Sequence, residues 1–247
     1  MSRILIFDSG VGNRPISAAI NSFLPAAEMH LLSDTAFFPY GEKTDPELTE
    51  RAQRVLDGAL HQIAPDIVVL ACNTLSTIAL QTIRSSCAIP VVGVVPAIKP
   101  AAAASKSKVI GLLATPATIH REYTNQLIRD FASDCEVIKV GSTALVKMAE
   151  RYVQDKAIDR DELREILKPL TDAVQSSELD QVVLGCTHFP LLKTQIEEIM
   201  NGVEVQDSSA AIGRQVCHIL NQLELNTSAG TQTRYYRTDV SGGLVKC

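Results

Sequence analysis

Three features of this 247-residue sequence predict an α/β fold with two pseudo-symmetric lobes, each built on a mostly parallel, doubly wound sheet. One stretch occurs twice: Asp66-Ile67-Val68-Val69-Leu70-Ala71-Cys72-Asn73-Thr74 returns 114 residues later as Asp180-Gln181-Val182-Val183-Leu184-Gly185-Cys186-Thr187-His188. In each copy an acid opens a short apolar run, a small residue follows, and a cysteine stands sixth after the acid. Short β-branched and aliphatic runs bounded by polar residues read as buried strands, and parallel α/β sheets bind ligands at the carboxyl ends of such strands. The second feature is the alternation of these runs with helical patterns, which implies parallel strands joined by helices. The third is that the pattern restarts at Lys108, near the middle of the chain. The repeat implies pseudo-two-fold symmetry, with the Cys72 and Cys186 strand ends facing one another across a cleft.

Taken in order, Arg3–Phe7 is a first strand and Asp8-Ser9-Gly10-Val11-Gly12-Asn13 a glycine-rich turn into a helix from about Pro15 to Phe23. Such a turn can bring backbone N–H groups to an anion, but Asn13-Arg14-Pro15 lacks the third glycine of a dinucleotide fingerprint, so nucleotide binding is not expected. Glu28–Leu32 is a second strand, followed by the aromatic loop Phe37-Phe38-Pro39-Tyr40-Gly41. A long helix runs from about Asp45, with Pro46 in its first turn, to Ile63 before Pro65. After the Cys72 strand come a helix from about Ser76 to Ser85, a strand over Ile89–Pro96, and a helix opening the Ala97–Ser107 stretch.

In the second half, Val109–Ala114 is a strand whose Thr115-Pro116-Ala117-Thr118 turn leads into one helix through Phe131. Glu136–Val140 is the next strand, and helices follow over roughly Ala144–Gln154 and Asp161–Ser176 before the Cys186 strand. After His188-Phe189-Pro190 a helix runs to Met200, Val203–Gln206 is a strand, and Asp207-Ser208-Ser209 caps a helix ending near Leu220. A late strand, Arg234–Thr238, packs back on the first lobe.

Composition bounds the function. The apolar fraction of 46% and charged fraction of 21% are those of an ordinary globular protein. A formal net charge of −5 without a Lys/Arg cluster offers no field for nucleic acid or anionic lipid. No signal peptide is expected, and no segment reaches the roughly 18 apolar residues of a membrane span, so a cytoplasmic protein is expected. The six cysteines lack Cys-x-x-Cys or metal-finger spacing and are expected as free thiols. Cys87, Cys135 and Cys217 read as small buried hydrophobes. Only Cys72 and Cys186 stand in a repeated context.

Two thiols on opposite walls could form a disulfide, bind a soft metal, or act as an acid/base pair. Metal is disfavoured because two thiols and His188 leave a site short of ligands, and catalytic disulfides usually use sequence neighbours. The acid/base reading uses the symmetry: a thiolate takes a proton from one face of a carbon while a thiol delivers one to the other, inverting a stereocentre. A helix start beside a cysteine favours the thiolate. Asp8 and His188 are placed to tune or relay those protons. Backbone N–H groups and polar side chains at Ser9, Asn73, Thr74 and Thr187 could hold a carboxylate and stabilise charge as an α-proton leaves. No lysine motif suggests a Schiff base, and the proposed route needs no cofactor.

The segments Phe7-Asp8-Ser9-Gly10-Val11-Gly12, Ser33-Asp34-Thr35-Ala36, Pro39-Tyr40-Gly41, Ala71-Cys72-Asn73-Thr74, Ala114-Thr115-Pro116-Ala117-Thr118 and Gly185-Cys186-Thr187-His188-Phe189-Pro190-Leu191-Leu192 together resemble the glutamate racemases of the aspartate/glutamate racemase superfamily. The resemblance implies cofactor-independent interconversion of L- and D-glutamate by Cys72 and Cys186, supplying D-glutamate for bacterial peptidoglycan. It implies that Asp8, Ser9, Tyr40, Gly41, Asn73, Thr74, Thr187 and His188 line the substrate, that Asp8 and His188 assist proton transfer, and that Glu150 is a further acidic helper. It also implies a homodimer and two lobes with exchanged segments: residues 1–96 plus 210–247, and residues 97–209.

Two departures stand out. Asn13 occupies a position where the family usually has glycine, and Val94-Val95-Pro96 replaces a frequent Ile-Glu-Pro, which bears on packing or dimer contacts. The chain opens almost at its first strand, so the regulatory N-terminal extension of some relatives, and activation by a cell-wall precursor, are not expected. Two alternatives remain open at this point: a racemase or decarboxylase of another compound on the same scaffold, and a catalytically weak amino-acid-binding protein.

Overall fold

The computed structural model describes residues 2–176, 178–225 and 232–247. In chain order, β1 (Arg3–Asp8), α1 (Asn13–Phe23), β2 (Glu28–Ser33), α2 (Asp45–Ile63), β3 (Ile67–Leu70), α3 (Asn73–Ser86) and β4 (Val91–Gly93) come first. Next are α4 (Ile98–Ala104), β5 (Val109–Ala114), α5 (Pro116–His120), α6 (Glu122–Phe131), β6 (Glu136–Gly141), α7 (Thr143–Asp155), α8 (Arg160–Gln175), β7 (Gln181–Leu184), α9 (Lys193–Met200) and β8 (Glu204–Gln206). The chain closes with α10 (Ser209–Gln222), β9 (Thr233–Thr238) and β10 (Leu244–Lys246). Two compact units result, one of Met1–Val94 with Ser209–Cys247 and one of Val95–Ser208.

The first unit holds a six-stranded sheet in the order β10-β9-β2-β1-β3-β4, parallel except where β10 pairs with β9. Its central strands are buried on both faces, which is why they read as unbroken apolar runs. Side chains alternate between faces: Leu5, Phe7, Val68 and Leu70 pack with residues of α2 and α3, whereas Ile4, Ile6, Ile67 and Val69 pack with residues of α1 and α10. Helix α2 starts where the Thr44 N–H donates to the Glu47 carboxylate at 3.0 Å, and it ends on Ala64 at φ 48°. Asn13 ties the start of α1 to the end of β2, donating to the Leu32 carbonyl and the Ser33 hydroxyl.

The second unit holds a four-stranded parallel sheet in the order β6-β5-β7-β8. Its order repeats β2-β1-β3-β4 of the first unit, and β3 and β7, the strands that precede the cysteines, take the same place. The acid that opens each copy has a structural task. Asp66 accepts from the N–H of Arg3, and Asp180 accepts from Ser105, Lys106 and Ser107, so each clips down the chain entering its sheet's central strand. At the borders of this unit the Ser208 hydroxyl donates to the Val95 carbonyl.

Several boundaries differ from those the sequence predicts. The strand expected over Ile89–Pro96 is confined to Val91–Gly93, because Pro90 and Pro96 have no N–H to give a ladder. The single helix expected after Thr115 is two, α5 and α6, separated by Arg121 in an extended conformation; the Thr124 hydroxyl donates to the Thr118 carbonyl across the break. The C-terminal strand is a hairpin, β9 and β10, whose turn uses Gly242 at φ 95°.

Candidate active site

In the first unit, α3 begins at Asn73, three residues earlier than predicted, because the Cys72 carbonyl accepts from the Ser76 N–H at 2.8 Å. Cys72 is therefore the N-cap of a 14-residue helix, its backbone extended and its side chain buried. The N–H groups of the first turn and the helix dipole favour negative charge at that point. Asn73 and Thr74 follow, both buried, and the Asn73 side-chain Nδ2 is enclosed with no hydrogen-bond partner. A buried amide donor left unsatisfied is costly, which marks this one as a group that can receive a ligand acceptor.

Asp8 ends β1, beside β3, with its side chain wholly buried. Its Oδ1 accepts from the N–H groups of Gly10 at 2.8 Å and Gly12 at 3.2 Å. The anion cradled by the glycine turn is thus the chain's own carboxylate, which accounts for the Gly-x-Gly without a nucleotide. Ser9 is buried in the same turn.

Tyr40 is buried, its ring meeting Phe7 edge-on at 6.4 Å in the cluster that includes Cys72. Its hydroxyl donates to Asp34 Oδ2 at 2.8 Å. Burial and the adjoining Asp34 carboxylate push the phenol well above its ordinary pKa, so it remains a neutral donor. Asp34 stands in a segment that carries the resemblance, but its hold on Tyr40 and its partner Arg51 were not singled out by sequence reasoning. The Asp34 and Arg51 side chains meet across 17 positions, a separation that no local pattern registers.

In the second unit Cys186 lies two residues beyond β7, buried like Cys72. Here the expectation of a helix start beside each cysteine needs correction: no α-helix starts directly at Cys186. A 3₁₀ turn over Phe189–Leu192 intervenes, entered by a hydrogen bond from the Phe189 N–H to the Cys186 carbonyl, and α9 starts only at Lys193. Cys186 has a histidine instead. Its Sγ is 3.9 Å from His188 Nδ1, and His188 Nε2 is 2.8 Å from Glu150 Oε1 on α7. An ionised carboxylate only accepts, so Nε2 carries a hydrogen, and in the neutral ring Nδ1 then turns its lone pair to the thiol. Thr187 and His188 are both buried. Gly185 is closely packed: a Cβ there would come within 3.0 Å of the Leu112 side chain and 3.1 Å of that of Ala114, so these would have to give way by a few tenths of an ångström.

Cys87, Cys135 and Cys217 are half-buried at core margins, and burial pushes the Cys87 and Cys135 thiols up, away from thiolate character. Among the described residues no group of three or more His, Cys, Asp or Glu side chains is arranged to hold a metal ion. None of the helices there is long and apolar enough to cross a membrane.

Fold and site together define a class: parallel α/β proteins made of two units of common strand order, each setting a buried cysteine just beyond the carboxyl end of the same strand. The description Asp/Glu/hydantoin racemase matches residues 14–216, and the chain belongs to that family. It is 43% identical over 246 residues to the glutamate racemase of Shewanella loihica, covering 99% of this chain and 91% of that one. It is 46% identical over 236 residues to the glutamate racemase of Vibrio cholerae, covering 95% and 86%. Among solved structures, the Escherichia coli glutamate racemase in complex with L-glutamate and the activator UDP-MurNAc-Ala superposes with a TM-score of 0.85 at 39% identity, over 89% of this chain and 82% of that one. The Francisella tularensis glutamate racemase in complex with D-glutamate gives 0.78 at 27% identity, over 96% and 88%.

Proposed function

We propose that this enzyme interconverts L- and D-glutamate without a cofactor, using Cys72 and Cys186 as its two proton-transfer groups. The observation that carries the reading is the equivalence of the two thiols, each placed just beyond the same strand of its own unit in a chain whose relatives are glutamate racemases. One thiolate removes the α-proton, and the electron pair is delocalised into the adjoining carboxylate. The other thiol then protonates the opposite face of the same carbon, and the charge on the two sulfurs is exchanged. The reading requires both thiols to reach one substrate α-carbon from opposite sides.

The supporting groups differ between the units. Beside Cys72, the α3 N-terminus, the Asn73 amide, Thr74 and Ser9 orient the substrate and stabilise charge on its carboxylate, while Asp8 lines the substrate and assists proton transfer at Cys72. Beside Cys186, His188 accepts or returns the thiol proton while Glu150 fixes its tautomer, and Thr187 donates to the substrate. Tyr40 and Gly41 line the substrate through their turn. The reading includes a cytoplasmic homodimer that supplies D-glutamate for bacterial peptidoglycan.

The test is polarimetry of the purified, reduced protein with L-glutamate and no added cofactor or metal. Optical rotation decaying to zero supports the assignment, and Cys72→Ser and Cys186→Ser should each remove at least about a hundredfold of the rate. Glutamate binding without any change in rotation contradicts it and points to a binding protein. Normal turnover by either serine variant rules out the two-thiol route.

A further inference from the structure

Arg51 lies on α2, outside the groups assigned to proton transfer, yet its side chain is 6% exposed and meets three separate parts of the first unit. Nε donates to Asp34 Oδ2 at 3.0 Å and Nη2 to Asp34 Oδ1 at 2.7 Å, a two-pronged fit of guanidinium to carboxylate. On its other side, Nη1 donates to the Val240 carbonyl and Nη2 to the Asp239 carbonyl, each at 3.0 Å, in the turn between β9 and β10. The guanidinium carbon is also 5.5 Å from the centroid of the Phe37 ring.

Asp34, fully buried, is the hub. Besides Arg51 it accepts from the Tyr40 hydroxyl and from the Thr238 hydroxyl, while its own N–H donates to the Asp8 carbonyl at 2.9 Å. The turn over Tyr40–Glu42 packs against α3, the helix capped by Cys72. A buried ion pair is a poor source of net stability and is best explained where it fixes one arrangement among several. Here the pair joins the Tyr40 turn, α2 and the C-terminal hairpin at a single junction beside Cys72 and Asp8.

We propose that Arg51 is a positioning residue that holds the Tyr40 turn against the Cys72 end of the sheet and makes the β9–β10 hairpin part of the framework of the site. The proposal rests on the reading of Cys72 as a proton-transfer group. It assigns the hairpin, which touches neither thiol through any bond described above, a share in substrate affinity.

The test uses Arg51→Lys, which keeps the charge but not the fork, and Thr238→Val, which removes a hairpin tie to Asp34 without altering the ion pair. Arg54→Met, on the exposed face of the same helix and paired with Glu50, is the control. Steady-state kinetics with glutamate are read with amide hydrogen exchange of the intact enzyme. In Arg51→Lys, KM rises about tenfold while kcat stays within about threefold, the signature of lost binding alignment. In both variants the amides of Glu42 and Lys43, bonded to Pro39 and Tyr40 carbonyls, exchange faster together with those of Asp239 and Gly242.

Unchanged kinetics with faster exchange would make Arg51 merely structural and overturn the proposal, as would unchanged exchange in the Tyr40 turn. If Arg51→Lys fails to fold, Thr238→Val decides by the same two readouts. Should the wild-type protein not act on glutamate, the functional reading fails by itself. Coupled exchange between the turn and the hairpin then upholds the framework, and its absence overturns it.

Discussion

His188 Nε2 and Glu150 Oε1 lie 2.8 Å apart, which ties the residue two places after Cys186 to the middle of helix α7. The contact orients the imidazole, and the buried ring faces Cys186 with its other nitrogen. Glu150→Gln keeps the shape and removes the charge, so His188 loses its fixed tautomer. We expect kcat/KM to fall about tenfold to a hundredfold, the usual cost of disarming a general base or its support. Because the enantiomers have equal free energy, initial rates from L- and D-glutamate must give the same factor. Unaltered kcat/KM would show that His188 does not act through Glu150.

The acid that opens each copy of the repeat is a clip, and its loss should cost stability but not catalysis. Asp180 is opposed by its partial burial, but hydrogen bonds from Ser105, Ser107 and Lys106 hold its pKa below the ordinary value. A depressed carboxylate pKa gives stability that is present above the unfolded-state value near 4 and is lost as pH falls through the folded value. Asp180→Ala should cost about 1–3 kcal/mol at neutral pH, read as a lower urea midpoint, with kcat/KM per folded molecule unchanged. A large loss of kcat/KM at full occupancy of the native state would contradict this division of labour.

His30 supplies a pH dependence of its own. It is buried, stacked on Tyr236 with ring centroids 5.7 Å apart, and its Nδ1 lies 3.1 Å from the Tyr236 hydroxyl. Burial lowers its pKa, outweighing the Glu28 carboxylate 3.0 Å from Nε2. The unfolded chain then binds the proton more readily than the native one. The contribution to stability is fully present above the unfolded-state pKa of about 6.5 and is lost as pH falls from there towards the folded value. Urea midpoints between pH 7.5 and 5.5, taken here as about one unit to either side of that pKa, should fall with acid, and His30→Phe should flatten the slope in that window. An equal slope in the variant would assign the pH dependence to another group.

The legible part of the fold was that in which local pattern and tertiary role coincide. Runs such as Ile4–Phe7 and Val182–Leu184 are buried on both faces, so their apolar character needed no context. The cysteines were legible because a repeated strand repeats its end. One local difference does separate Cys72, which caps a helix directly, from Cys186, which enters a 3₁₀ turn: the Ser76 N–H bonds the Cys72 carbonyl, whereas Pro190 in the equivalent place has no N–H to give. Where side chains decide, the sequence was silent. The Asp34–Arg51 junction draws on residues as distant as Thr238 and Val240, and no local pattern links positions so far apart. The β10 strand followed a visible Gly242-Gly243 turn signal and could have been found.

The most direct test of the two-thiol account is the label in the first product. With L-glutamate in deuterated water at low conversion, D-glutamate should carry solvent deuterium at the α-carbon while recovered L-glutamate remains unlabelled, because one thiol takes the substrate proton and a different one delivers a solvent-derived deuteron. D-glutamate that retains the substrate proton, or L-glutamate labelled as fast as product appears, would mean that a single group serves both faces and would contradict the account.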